Sequence, residues 1–112
     1  MTPSSRTERL YLADIRDAID KILRYTSAGR EAFASDERTQ DAVLRNIEIV
    51  GEAVRGVTDE TRAAHPDVPW KEMAGMRDRI IHDYSRVDLD VVWDVVSRDL
   101  PALKMKIASL LG

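Results

Sequence analysis

Arg77, His82 and Tyr84 share one short stretch, Met76-Arg77-Asp78-Arg79-Ile80-Ile81-His82-Asp83-Tyr84, and their side-chain types can do chemistry together. The His82 imidazole can accept or donate a proton near neutrality, since an unperturbed ring titrates near ~6.5. The Arg77 guanidinium stays charged and meets phosphate oxygens with a forked set of donors. The spacing Arg-x4-His-x-Tyr is weak evidence by itself, because such pairs arise by chance in arginine-rich helical proteins. Plain structural roles stand beside the chemical ones. His82 can simply satisfy a partner near a helix C-terminus. Arg77 and Arg79 can form an ordinary solvated face, the role preferred for Arg79, and Tyr84 can be a half-buried aromatic with its hydroxyl in water.

The elements that must hold these residues read as helices. Leu12, Ile15, Ile19, Ile22, Leu23 and Thr26 follow helical spacing from about Thr7 until Ser27-Ala28-Gly29 ends the run. A short helical turn is expected over Arg30 to Ala34, after which Asp36 offers a cap for a long helix reaching about Val57. Its apolar stripe is Val43, Ile47, Val50, Val54 and Val57, with Arg38, Arg45, Glu48 and Arg55 largely on the solvated side. His65-Pro66-Asp67-Val68-Pro69 marks a loop with room for one helical turn, and His65 is expected on its surface. A third helix is expected from Trp70 through Met73, Met76, Ile80 and Ile81, interrupted only by Gly75 and ending at the Arg-His stretch. Asp88 then caps a last helix carrying Leu89, Val92, Trp93, Val96, Leu100, Leu103, Ile107 and Leu110, which Pro101 should bend. Trp70, Trp93, Met73 and Met76 read as core. No strand with alternating pattern and no internal repeat is visible.

If the third helix runs through the motif, Arg77 and His82 diverge by about 140° around its axis. A two-fold axis would relieve this, the pair from one subunit complementing the pair from the other. Asp78, four residues before His82, could then face the ring and raise its pKa by opposite charge. Val91, Val95 and Met105 lie off the stripe of the last helix, and that surplus apolar surface also points to a second subunit.

At 112 residues the chain is expected to form a single domain, residues 1–112. Its composition, 44% hydrophobic and 33% charged with five glycines and four prolines, suits an all-α antiparallel bundle of four main helices plus short helical turns. There is no cysteine, which excludes thiolate zinc sites and cysteine nucleophiles, and with two histidines a dedicated metal site is not expected. No cofactor is expected either. A net charge of -3 argues against a broad basic face that coats nucleic acid. Local RNA contact remains open, because Lys71, Arg77, Arg79 and Arg86 cluster in one stretch. No apolar run reaches the ~20 residues of a membrane span and Met1 to Thr7 lacks a signal-peptide core, so a cytoplasmic location is expected.

The Arg-x4-His-x-Tyr ending resembles the HepT-like branch of the HEPN superfamily when joined to Arg45-Asn46-Ile47-Glu48-Ile49-Val50-Gly51-Glu52-Ala53 and to Val68-Pro69-Trp70. This branch is the toxin half of MNT-HEPN, or type VII, toxin-antitoxin pairs, and the likeness extends from about Leu10 to Leu110. The resemblance implies a helical bundle, a homodimer with a composite cleft, and endoribonuclease activity without metal, with no DNA expected as substrate. It places catalysis on Arg77 and His82 and an auxiliary polar role on Asp78, where many relatives carry asparagine. It makes Tyr84 the acceptor of AMP added by a cognate MntA-type nucleotidyltransferase antitoxin. Metal-free RNA cleavage needs a proton-moving group at the 2′-hydroxyl or the leaving 5′-oxygen and a cation for the phosphorane, roles that His82 and Arg77 can fill. Glu52 can be a structural polar contact or an orienter of the cleft. The competing readings are a noncatalytic helical subunit that contacts nucleotide or partner within a nucleotidyltransferase complex, and a purely structural dimerisation module.

Overall fold

The computed structural model of the chain describes residues 4–83 and 86–112, and side chains within 7–79 and 88–112. The architecture is all-α. Two long helices, α1 (Ser4–Tyr25) and α3 (Glu37–Val54), pack along each other, with the short α2 (Arg30–Ser35) between them in sequence. α4 (Asp59–Ala64), α5 (Trp70–Ala74) and α6 (Met76–Ile80) follow as short pieces, and a last rod runs through α7 (Leu89–Asp94), a π turn (Val95–Asp99) and α8 (Leu100–Leu111). α1 lies against both α3 and α8.

The predicted apolar stripes are what this packing buries. Ile15, Ile19 and Ile22 of α1, Val43, Ile47, Val50 and Val54 of α3, and Val92, Leu100 and Ile107 of the last rod are closed to solvent, with Met73 among them. The predicted caps also form. Asp36 accepts from the N–H groups of Arg38 and Thr39, and Asp88 from those of Asp90 and Val91, satisfying donors that a helix start leaves orphaned. Trp70 is buried and donates Nε1–H to the His65 carbonyl at 3.0 Å, so His65, at the end of α4, anchors the aromatic through its backbone. Trp93 is partly buried against Phe33, ring centroids 5.6 Å apart.

Glu8 of α1 ties the first helix to the start of α4. Its carboxylate accepts from the Thr58 N–H at 2.7 Å and from the Thr61 hydroxyl. Burial opposes the charge on Glu8, but the hydrogen bonds from Thr61 and Thr58 outweigh it and hold the carboxyl below the ordinary glutamate range.

Three expectations are corrected, on the third helix, on Val95 and on the end of the second helix. The third helix does not run through the motif: it breaks at Gly75, which leaves helical geometry with φ -93° and ψ 5°, and α6 ends at Ile80. The chain then turns extended, Ile81–Asp83 (β1) pairing antiparallel with Arg86–Val87 (β2), with Ile81 opposite Val87 and Asp83 opposite Arg86. Adjacent β-branched Ile80 and Ile81 favour that change. Pro101 is accommodated by widening the preceding turn. A proline there cannot donate to the carbonyl four residues back and its ring crowds that group, and the π turn over Val95–Asp99 relieves the conflict. Val95, expected among the surplus apolar residues, is fully buried, whereas Met105 is 76% exposed. The long second helix stops at Val54 rather than near Val57.

Candidate active site

The site is built where α3 and α6 approach. Gly51, in the middle of α3, faces that approach: a Cβ there would meet the Ala74 carbonyl oxygen at 3.4 Å and that of Met73 at 3.8 Å, ordinary contact distances that leave little room for anything larger. The backbone end of α5 therefore rests on α3, and α6, which follows directly, emerges beside the polar face of that helix. Glu48, Gly51, Glu52 and Arg55, on one face of α3 at spacings of three, four and seven from the first, form one wall of a cleft of about 220 Å³, with Ala74, Arg77 and Asp78 opposite.

Arg77 stands at this cleft half exposed, its Nε 3.5 Å from Glu48 Oε1. The other Glu48 oxygen lies 3.6 Å from Arg45 Nη1 on its own helix, so the carboxylate is shared between two guanidinium groups. Asp78, 86% exposed, approaches Arg77 Nη1 only at 3.7 Å. These are long, solvent-screened contacts, and a phosphate offering two oxygens can compete for the guanidinium.

The expected cationic cluster is divided. Arg79 points to the other side of α6, where its Nη1 meets Asp99 Oδ2 of the π turn at 3.1 Å. Lys71 lies on α5, and the Arg86 side chain falls outside the described residues. His82 sits on β1, beyond the end of α6, with its side chain outside the described residues; Tyr84 falls wholly outside them. The helical-wheel arguments that set Arg77 and His82 about 140° apart and faced Asp78 onto His82 lose their premise, because one helix does not carry all three.

Glu48 and Asp99 are the residues that sequence reasoning passed over. Glu48 reads as solvated, yet a signal was present: a glycine inside a helix, flanked by polar residues three before, one after and four after, marks a face that another backbone approaches. Asp99 had no such signal, since its direction depends on a turn whose form follows from Pro101. Among the described residues no three His, Cys, Asp or Glu side chains converge as a metal site, and none of their helices is long and apolar enough to cross a membrane.

Residues 15–110 match the family described as "Ribonuclease HepT-like". The chain is 43% identical over 106 residues to a protein of Thermococcus cleftensis named "Probable ribonuclease HepT", covering 94% of this chain and 96% of that one. It is 36% identical over 107 residues to a protein of Caldanaerobacter subterraneus subsp. tengcongensis named "Putative RNase", covering 95% and 96%. A Methanocaldococcus jannaschii protein named "Gamma-glutamylcyclotransferase and putative RNase" is 41% identical over 104 residues; the match spans 92% of this chain and 47% of that longer one. No solved structure matches the chain.

Proposed function

Because the chain belongs to the ribonuclease HepT-like family, its reaction class is RNA cleavage, and we propose that it is the toxin of a toxin-antitoxin pair, cutting RNA without metal from Arg77 and His82. The observation that carries this reading is the placement of Arg77: a half-exposed guanidinium at a polar cleft, five residues along the chain from the imidazole and held loosely enough to exchange a carboxylate for a phosphate. In the reaction the 2′-oxygen attacks the adjacent phosphorus while the bond to the 5′-oxygen breaks. His82 takes the hydroxyl proton or supplies one to the leaving oxygen, and Arg77 stabilises the charge on the phosphorane. The products are a 2′,3′-cyclic phosphate and a 5′-hydroxyl.

The working form in this reading is a homodimer whose two-fold axis lies near residues 77–84. Met105 on the last rod and Leu10 on α1 are exposed apolar side chains, surplus surface that favours a second subunit. Asp78, beside Arg77, tunes the guanidinium in this account. Tyr84, two residues after His82, receives AMP from a cognate MntA-type nucleotidyltransferase antitoxin, and each phosphodiester brings negative charge to a site that attracts phosphate.

Co-expression and mass measurement test the assignment. The chain alone should arrest growth, and incubation with the partner, ATP and Mg2+ should add AMP mass and stop RNA cleavage, while Tyr84→Phe keeps its mass and its activity. A harmless chain, or equal mass gain in Tyr84→Phe, would remove the toxin or the switch respectively.

A further inference from the structure

We propose that Asp99, presented by the π turn of the last helix, is a positioning residue for Arg77: it holds Arg79 and so fixes the pose of α6, which carries both arginines. The inference rests on the reading of Arg77 as the phosphate-binding cation. α6 spans five residues, and so short a helix does not hold its own shape, because the first turn costs more order than its few hydrogen bonds return. Its pose is set from outside. Met76 is sunk in the core, Arg77 meets Glu48 of α3 on one side, and Arg79 meets Asp99 on the other.

The two ion pairs differ in what substrate would do to them. The contact of Arg77 with Glu48, at 3.5 Å, lies in the cleft and must loosen when a phosphate arrives. The contact of Arg79 with Asp99, at 3.1 Å, faces away, since two residues along a helix turn the side chain by about 200°. It can persist through the reaction and keep α6 from rolling when Glu48 lets go. The π turn carries Asp99 itself, and because a π turn holds more residues than an α turn it aims this carboxylate in a different direction from that of a regular α-helix.

Steady-state cleavage of a short fluorogenic RNA by the intact chain tests the proposal, comparing wild type with Arg77→Ala, Asp99→Asn, Arg79→Gln and the exchange of Arg79→Asp with Asp99→Arg. Asp99→Asn and Arg79→Gln should each lower kcat about tenfold with KM within about twofold, because misplacing a group that meets the transition state costs rate rather than binding. The exchange variant should recover to within about threefold of wild type. Thermal midpoints should hold throughout, since the pair is partly exposed. Wild-type kcat in both single variants beside an inactive Arg77→Ala overturns the role of Asp99 and leaves that of Arg77 standing. A rise in KM alone, an exchange variant as slow as the singles, or a midpoint that falls with kcat also overturns it. An active Arg77→Ala removes the reading beneath the proposal, and the proposal with it.

Discussion

The α1, α3 and last-rod assembly and the α5–α6 segment are held by different forces. The first buries isoleucine, valine and leucine on matched stripes, closed to water. The second combines a few sunk anchors, Trp70, Met73 and Met76, with polar contacts at 3.1 to 3.7 Å around half-exposed arginines. Apolar burial is insensitive to direction, whereas ion pairs fix direction and contribute little net stability. On the proposed reading of Arg77 the molecule separates what keeps it folded from what aims its chemistry, and substitutions in the two regions should fail in different ways.

The sharpest break of that contrast comes from the core. Ile19→Ala, at a fully buried position, should cost about 3 kcal/mol in denaturant unfolding while the RNA-cleaving rate per folded molecule stays near wild type. Gly51→Val acts at the seam between the regions. Its branched side chain cannot fit against the Ala74 carbonyl, 3.4 Å from where even a Cβ would sit, so α5 and α6 must move off α3. Stability should fall by about 1–3 kcal/mol and cleavage should fall further than in Ile19→Ala at equal folded fraction. A Gly51→Val variant with full activity would show that the approach of α6 to α3 is unimportant.

Glu8→Gln should cost about 1 kcal/mol at neutral pH, the net scale of one ordinary hydrogen bond, since the amide keeps one acceptor oxygen. The sign of its pH dependence follows from a carboxyl held below its ordinary range in the folded state. The stabilisation is fully present above the unfolded glutamate range and is lost as pH falls through the lower folded value. Wild type and Glu8→Gln should therefore converge in acid, which urea unfolding across that range would measure. The smallest effect is expected from the exposed pairs: raising salt should leave the melting midpoint nearly fixed while weakening RNA cleavage, because screened charges contribute to recognition more than to folding.

The same contrast explains what was legible in the chain. The stripes of α1, α3 and the last rod, and the caps at Asp36 and Asp88, are local periodicities and local hydrogen bonds, and they can be read directly. Gly75 was visible as an interruption but not as the end of a helix, because a lone glycine costs a helix only about 1 kcal/mol and its neighbours decide the outcome. The pairing of β1 with β2 depends on residues meeting across a turn, which no window along one strand of three residues reveals. Arg77 was legible by type and spacing. Its link to Glu48, 29 positions earlier, arises from tertiary packing at Gly51 and was not.

In the proposed reading Arg77 and His82 perform the cleavage while the core performs the folding. The most direct test measures RNA cleavage and thermal unfolding side by side for wild type, Arg77→Ala and His82→Ala, in EDTA. Wild type should be active and leave a cyclic phosphate on the new 3′ end, each variant should lose at least about a hundredfold, and the melting midpoints of all three should agree. Cleavage by His82→Ala at the wild-type rate, or wild-type activity abolished by EDTA, would contradict it.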